Sequence, residues 1–344
     1  MDAHVPPERP PLKLVSIGSI SAASLLINGF FGQREAITAI VSTTDTGSST
    51  GVIREKFSMP APGDIRAVVA AMGEETGVHG VLKKLFEYRF KPDQFPELPN
   101  MSLGNLVLAA LMDMTKDFSK AVTMASEIVG CRGTILPVTV TNANIKAKLA
   151  NGCVVRGEAA VRRVGKPPIR ELFLENDAVV LTNGIDDAVM SADMVVMGPG
   201  CLYTSIISCL LVPGLAGVLR RTGAKVVYCC NTTTTPGQTD GMSVLEHVAC
   251  ITHYLGDTPP DYVLINNKRP RPEVEEAYRS DAIYLLLPAA YEVEQIKAQG
   301  CTPVLADLLE EGWKGKRSLH KLDSIRHDAG KIRAALMSID GKEG

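Results

Sequence analysis

The chain has 344 residues, 36 Lys and Arg against 38 Asp and Glu, a net charge of -2, and 45% hydrophobic and 22% charged residues. That balance belongs to an ordinary globular protein and excludes global disorder or a collagen-like repeat. There is no basic excess to release counterions from a nucleic-acid backbone, and 5% aromatic residues are too few for a row of base-stacking platforms, so no nucleic acid is expected and a small ligand in a pocket is.

Residues 1–11 are polar and Pro-rich and read as a disordered tail. An apolar run over 12–17 ends at Gly18, a helix-like stretch covers 22–29, and 36–41 reads as a second buried strand before a Ser/Thr/Gly-rich loop over 42–51. This β-α-β beginning favours a parallel sheet covered by helices on both faces. Residues 62–130 are mostly helical in pattern (65–72, 81–90, 106–112 and 121–129, with a Pro-rich break at 92–99) and read as a helical insertion. Shorter β-like segments follow over 134–181. Parallel-type strands return at 194–197, 225–229 and 262–265, and two helical patterns close the chain, the last at 332–337, with 339–344 as a tail. The expected architecture is α/β: one doubly wound, mostly parallel sheet with a helical insertion, over residues 12–338.

The eight cysteines form no C-x-x-C pair, so zinc ribbons and thioredoxin-type redox chemistry lack their spacing, and buried free thiols are expected. The N-terminus shows no basic n-region followed by an apolar segment, and no apolar run reaches the roughly 18 residues of a spanning helix. A cytoplasmic protein without a membrane partner is the expectation.

In an open α/β sheet, ligands lie at the carboxyl ends of the strands, where loops feed helix N-termini. Four such positions are rich in small hydrogen-bonding residues: Gly18-Ser19-Ile20-Ser21, residues 45–51, residues 198–205 and residues 231–241. Backbone amides and hydroxyls suit a polyphosphate or sugar phosphate, and Asp45, Asp64 and Asp240 could recruit Mg2+ to it. The structural reading of each aspartate is a helix cap or an Asx turn. Gly47-Ser48-Ser49-Thr50-Gly51 also satisfies G-x-S-x-G, which makes a serine hydrolase with Ser49, Asp240 and His247 an alternative. Neither a Walker A motif nor G-x-G-x-x-G occurs. His247 and His253 are six apart and cannot share a helix face as a metal pair would.

The strings Pro62-Gly63-Asp64-Ile65-Arg66, Ser102-Leu103-Gly104-Asn105-Leu106 and Ile135-Leu136-Pro137-Val138-Thr139 resemble the CofD/YvcK family, and its YvcK-like branch in particular. So do the GPG-x-LYTSI run from Gly198 to Ile207, the PG-x-TDG run from Pro236 to Gly241, and Arg326-His327-Asp328. The resemblance covers roughly residues 12–338. It implies a Rossmann-like fold, commonly dimeric. YvcK-like members bind UDP-sugars and act in control of carbon metabolism and cell-wall synthesis. CofD members are Mg2+-dependent transferases that move a 2-phospholactyl group from a guanosine diphosphate adduct to the deazaflavin Fo.

Three departures stand out. The family's GGTGL is here Gly18-Ser19-Ile20-Ser21-Ala22, its DDGGSSG is Asp45-Thr46-Gly47-Ser48-Ser49-Thr50-Gly51, and its Y-x-x-E-G is Ile296-Lys297-Ala298-Gln299-Gly300. On the combined reading, Gly18, Ser19, Ser48, Ser49, Gly200, Thr204 and Asn231 are the expected phosphate and ribose contacts. Asn105 would orient the ligand and Arg326 would close over it. Asp45 and Asp240 would take a catalytic role, with Asp45 and Asp64 as ligands if Mg2+ is used. The expected partner is a nucleotide-linked small molecule, bound by a homodimer.

Overall fold

The computed structural model describes residues 10–98, 100–312 and 325–341, together with the backbone but not the side chain of Ser48. Most of the expected N-terminal tail therefore lies outside the described residues. The chain opens with β1 (Leu14–Gly18), α1 (Ile20–Gly29) and β2 (Ile37–Val41), followed by five helices: α2 (Ser48–Phe57), α3 (Gly63–Met72), α4 (Gly77–Glu87), α5 (Leu103–Thr115) and α6 (Phe118–Ile128). Next come β3 (Thr134–Pro137), β4 (Ile145–Leu149), β5 (Val154–Arg156), α7 (Glu158–Arg162), β6 (Ile169–Leu174) and α8 (Ile185–Met190). After β7 (Met194–Met197) a π-helical turn (Leu202–Ile207) runs into α9 (Ser208–Leu210), then α10 (Leu215–Arg221), β8 (Lys225–Cys229) and α11 (Val244–Tyr254). The last elements are β9 (Tyr262–Asn266), α12 (Pro272–Arg279), α13 (Ala290–Ala298), β10 (Thr302–Ala306) and α14 (Ala329–Asp340).

Seven strands form one sheet in the order β10-β9-β8-β7-β1-β2-β3, every neighbouring pair parallel. Strand order reverses at β1: the chain first moves outward through β2 to β3, then returns to the other side of β1 and moves outward through β7, β8, β9 and β10. The fold is thus the Rossmann-like, doubly wound sheet that the sequence pattern and the family strings imply. The β4, β5 and β6 strands make a separate antiparallel sheet in the order β5-β4-β6.

Side chains of the central strands alternate between two cores, as period-2 geometry requires of a sheet buried on both faces. Val15, Ile17, Val195, Met197 and Tyr228 point to the core shared with the small sheet and α8 to α11. Leu14, Ile37, Val41, Val196 and Val227 point to the opposite core, formed with α1, α3, α5, α6 and α14. Ile17 is fully buried, and removing such a side chain to alanine costs about 2–5 kcal/mol. β10 carries Pro303 at the sheet's edge, where a residue without an N–H is tolerated. α14 continues to Asp340 and stops at Gly341, whose φ of 73° suits a glycine cap; Ile339 is buried in it, so helix extends into the expected C-terminal tail.

Among the described residues no single helix is long and apolar enough to cross a membrane.

Candidate functional site

The carboxyl ends of β1 and β7 flank the place where strand order reverses, and the loops leaving them diverge to opposite faces of the sheet. That divergence opens the crevice in which ligands of such sheets lie. Ser42 N–H donates to Gly18 O at 2.8 Å and Gly198 N–H to Ile17 O at 3.0 Å, so three loops start from one fixed edge.

The first loop turns at Gly18, whose φ of 142° an L side chain rarely adopts. Ser19 is the N-cap of α1, but its hydroxyl makes no capping bond, and the first turn holds no acidic residue. Buried Ser19 (5% exposed) thus stands at an uncapped ten-residue helix start whose N–H groups and dipole favour an anion.

The third loop approaches it directly. A Cβ placed on Gly200 would stand 3.2 Å from Ser19 Oγ, a gap that glycine leaves open. Asn231, just beyond β8, grips this turn: Gly200 N–H donates to Asn231 Oδ1 at 3.1 Å, and Asn231 Nδ2 donates to Gly200 O at 2.9 Å. Asn231 therefore orients the Gly200 peptide with both ends of its amide. Thr204, in the π-helical turn, is buried and its Oγ1 has no hydrogen-bond partner. Single π turns of this kind are enriched at functional sites.

On the β2 side, Asp45 Oδ1 accepts the Gly47 N–H at 2.8 Å. Its other oxygen stands 3.4 Å from where a Cβ on Gly63 would be, next in the chain to buried Asp64 in the first turn of α3. Asp64 lies near the β1 edge as well: burial first, and the Asp64 carboxylate second, push the Cys209 thiol up. Asn105 Nδ2 donates to Ser49 Oγ at 3.2 Å, while the buried Asn105 Oδ1 is unpartnered. The Ser48 side chain lies outside the described residues; its backbone opens α2.

Three charged residues that the sequence reading did not select complete this side. Buried Arg54 donates to the carbonyls of Asp45 (3.0 Å) and Ala143 (2.7 Å) and to Asn142 Oδ1 (2.6 Å); burial lowers its pKa. Glu158 of α7 is 4% exposed. Burial alone would raise its carboxyl, but hydrogen bonds with Asp45 and with the Thr46 N–H (3.1 Å), and the Arg162 guanidinium at 3.0 Å, hold it below the usual carboxylate range. Arg162 is raised in turn, since Cys201, Glu158 and Asp45 outweigh its burial. A segment of β-like pattern gave no signal for these contacts, because Thr46 and Glu158 are 112 residues apart.

In the fourth loop, exposed Asp240 closes its own loop by accepting the Gly237 N–H, three residues earlier, at 2.7 Å. Gln238 is 3% exposed, and neither its Nε2 nor its Oε1 has a partner. Arg326 stands apart from the β1–β7 crevice. Its backbone carbonyl accepts the Glu310 N–H at 2.9 Å, and its side chain lines a cavity of about 410 Å3 with Lys268, Arg271, Asp307, Glu310 and Lys331, beyond the ends of β9 and β10. With strands about 4.8 Å apart, that cavity lies two to three strands from β7 on the same sheet edge.

The hydrolase arrangement is not assembled. Ser49 Oγ meets Asn105, His247 Nδ1 bonds Ser243 O at 2.8 Å, and His247 Nε2 has no partner. A nucleophile needs its base within hydrogen-bond reach, and here the two belong to separate bonds.

No group of three or more His, Cys, Asp or Glu converges as a metal cage among the described residues. A Mg2+ ion shared with substrate phosphates needs only one or two carboxylates, and Asp45 and Asp64 on adjoining turns fit that requirement.

The sequence profile described as "2-phospho-L-lactate transferase CofD" matches residues 15–309. The chain is 32% identical over 327 residues to the gluconeogenesis factor of Bacillus subtilis (strain 168), covering 95% of this chain and 98% of that one. It is 31% identical over 324 residues to the gluconeogenesis factor of Halalkalibacterium halodurans, covering 94% and 95%. A crystal structure of a Bacillus halodurans protein superposes with a TM-score of 0.84 at 29% identity, covering 95% of this chain and all of the other.

Proposed function

Because the chain belongs to the CofD family, we propose that it binds a nucleoside-diphosphate-linked sugar, or a closely related phosphorylated metabolite, across the β1–β7 crevice. The observation that carries this reading is a set of buried polar atoms without partners on that sheet edge: Thr204 Oγ1, Asn105 Oδ1 and both amide atoms of Gln238. Buried polar groups are nearly always hydrogen-bonded, and these orphans lie in the π turn, at the start of α5 and in the β8–α11 loop, where a bound ligand would supply the missing partners. The phosphates would rest on the uncapped start of α1 and on the Gly200 turn, where N–H groups and small residues allow close approach. Arg326 and the cavity beside it would receive the more distant part of an extended ligand. If Mg2+ accompanies the phosphates, Asp45 and Asp64 would hold it, and it would offset their negative charge.

The name gluconeogenesis factor carried by relatives points to a role in carbon metabolism; on our reading the chain binds its ligand without turnover, as a cytoplasmic homodimer with a regulatory role in carbon metabolism or cell-wall synthesis. A second reading, CofD-like transfer of a 2-phospholactyl-type group, is favoured by one observation: Asp45 and Glu158 are hydrogen-bonded through their carboxyls, an acidic pair beside the crevice that could hold or move a proton. Asp240, expected as its companion, is exposed and holds its own loop.

Calorimetric titration of the full chain with UDP, UDP-N-acetylglucosamine and GDP, each with and without Mg2+, tests the proposal. Saturable binding that Asp45→Asn weakens chiefly in the presence of Mg2+ is the expected result. Absence of saturable binding by all three nucleotides, with or without the metal, would refute it. Incubation with the bound nucleotide and analysis of products then separates regulator from transferase.

A further inference from the structure

α7 has only five residues, yet it meets three of the four polar loops. At its start, the Glu158 carboxyl accepts the Thr46 N–H at 3.1 Å and is hydrogen-bonded with Asp45, while Ala159 N–H reaches Thr46 Oγ1 at 3.4 Å. At its end, Gly237 of the β8–α11 loop lies so close that a Cβ there would stand 2.4 Å from the Arg162 carbonyl oxygen. Just beyond, Lys166 Nζ donates to Gly237 O at 2.5 Å. The Arg162 guanidinium joins the two ends, pairing with Glu158 at 3.0 Å, and α7 also packs against the π-helical turn of the β7 loop.

Burying an ion pair is a poor way to gain stability, since apolar side chains of similar volume do as well or better; its better-attested use is to fix one geometry among several. The pair here is well placed for that use. Glu158 and Arg162 side chains are 6% and 22% exposed, and the charged groups facing them come from separate elements: Arg54 from α2 and Asp45 from the β2 loop. The small antiparallel sheet supports this helix, with α7 following β5 directly and preceding β6.

We propose that Glu158 and Arg162 are positioning residues that hold the β2–α2 and β8–α11 loops in one fixed relation, making α7 and its small sheet a strap across the ligand crevice. The strap is a property of the unliganded protein; only its effect on ligand affinity rests on the nucleotide-binding reading above. Without the pair, the loop carrying Asp45 and the loop carrying Gln238 would move independently. A ligand touching both would then have to order them on binding.

Amide hydrogen exchange on the ligand-free full chain tests the strap. Glu158→Ala should raise exchange about tenfold or more at Thr46 and, at a distance, across residues 235–241, with the central strands still protected as a control for folding. Glu158→Gln keeps an acceptor for the Thr46 N–H but removes the charge facing Arg162. It should leave Thr46 close to wild type and still loosen 235–241. Wild-type exchange over 235–241 in both variants would overturn the proposal, as would full recovery of that loop by the glutamine, which would mean a filled volume is all that matters. Titration with UDP forms the second arm: if wild type binds and Glu158→Gln binds as tightly with its loop loosened, the positioning role fails. If wild type binds no nucleotide, the ligand reading fails instead, while the exchange result still decides the strap.

Discussion

Asn231 holds the Gly200 peptide at both ends, accepting its N–H at 3.1 Å and donating to its carbonyl at 2.9 Å across 31 residues of chain. The relation ties the end of β8 to the turn after β7, so the backbone that faces Ser19 is fixed before any ligand arrives. Asn231→Ala removes two hydrogen bonds worth about 0.5–1.5 kcal/mol each and frees the turn. A drop in thermal midpoint of a few degrees is expected, together with a loss of nucleotide affinity of about tenfold or more in calorimetry. Unchanged affinity beside the lowered midpoint would reduce Asn231 to a structural staple.

Thr204 offers the opposite signature. Its buried Oγ1 lacks a partner, so Thr204→Val, which preserves shape, removes an unsatisfied group at little cost or with a small gain in stability. If that hydroxyl contacts ligand, the variant should unfold at or slightly above the wild-type temperature and yet bind UDP about tenfold more weakly. Scanning calorimetry and titration on one preparation read both quantities. A variant that is destabilised without any change in binding would contradict the assignment.

Gly237 is constrained twice: its φ is 79°, and a Cβ would stand 2.4 Å from the Arg162 carbonyl oxygen and 2.9 Å from that of Arg163. Neither contact is with a flexible side-chain end, so alanine must displace the loop or α7. Gly237→Ala should destabilise by about 1–3 kcal/mol, seen as a lowered urea midpoint with an unchanged slope. Gly241→Ala has a similar φ of 71° but open space around the Cβ position, and should cost distinctly less.

The protein should lose stability as pH falls through the histidine range. Burial pushes the His247 imidazole down, with the Ser243 carbonyl only partly opposing it, and pushes His327 down to about 4. A folded-state pKa below the unfolded value of about 6.5 means the unfolded chain binds the proton more readily. The His327 contribution is therefore fully present above about pH 6.5 and is lost progressively as pH falls from there towards 4, at up to about 1.4 kcal/mol per pH unit, and His247 acts in the same direction. Glu158, held below its usual range, acts in a lower window, from about pH 4.5 downward. Thermal midpoints of His327→Gln should fall less steeply than wild type between pH 6.5 and 4.5; parallel curves would contradict the assignment.

The strands were legible because a doubly covered parallel sheet needs unbroken apolar runs. Residues 194–197 and 225–229 read as strands and coincide with β7 and β8, and 262–265 lies within β9. β10, with Pro303 in its five residues, is missing from the sequence reading, because an edge strand half released from burial carries less of the signal. The polar loops stood out for a related reason: after a buried strand, a run of Gly, Ser, Thr and Asn has no core to face. Their contents were less legible. Gly200 and Asn231 read alike as ligand contacts, although one presents its backbone to the crevice and the other holds that backbone in place. Arg326 read as a lid over the crevice, whereas its side chain lines a cavity beyond the neighbouring strands β9 and β10.

The sequence by itself determined the class of the fold, the sheet-edge location of the polar loops and the family to which the chain belongs, since local periodicity and contiguous motifs encode all three. Tertiary structure alone decided which polar side chains face one another. The order β7-β1-β2 brings Ser19 to Gly200, and the fold of the small sheet brings Glu158 to Thr46 and Asp45. Such pairings join residues more than a hundred positions apart. They depend on where a strand reverses and how a helix packs, and no window of neighbouring residues carries that information.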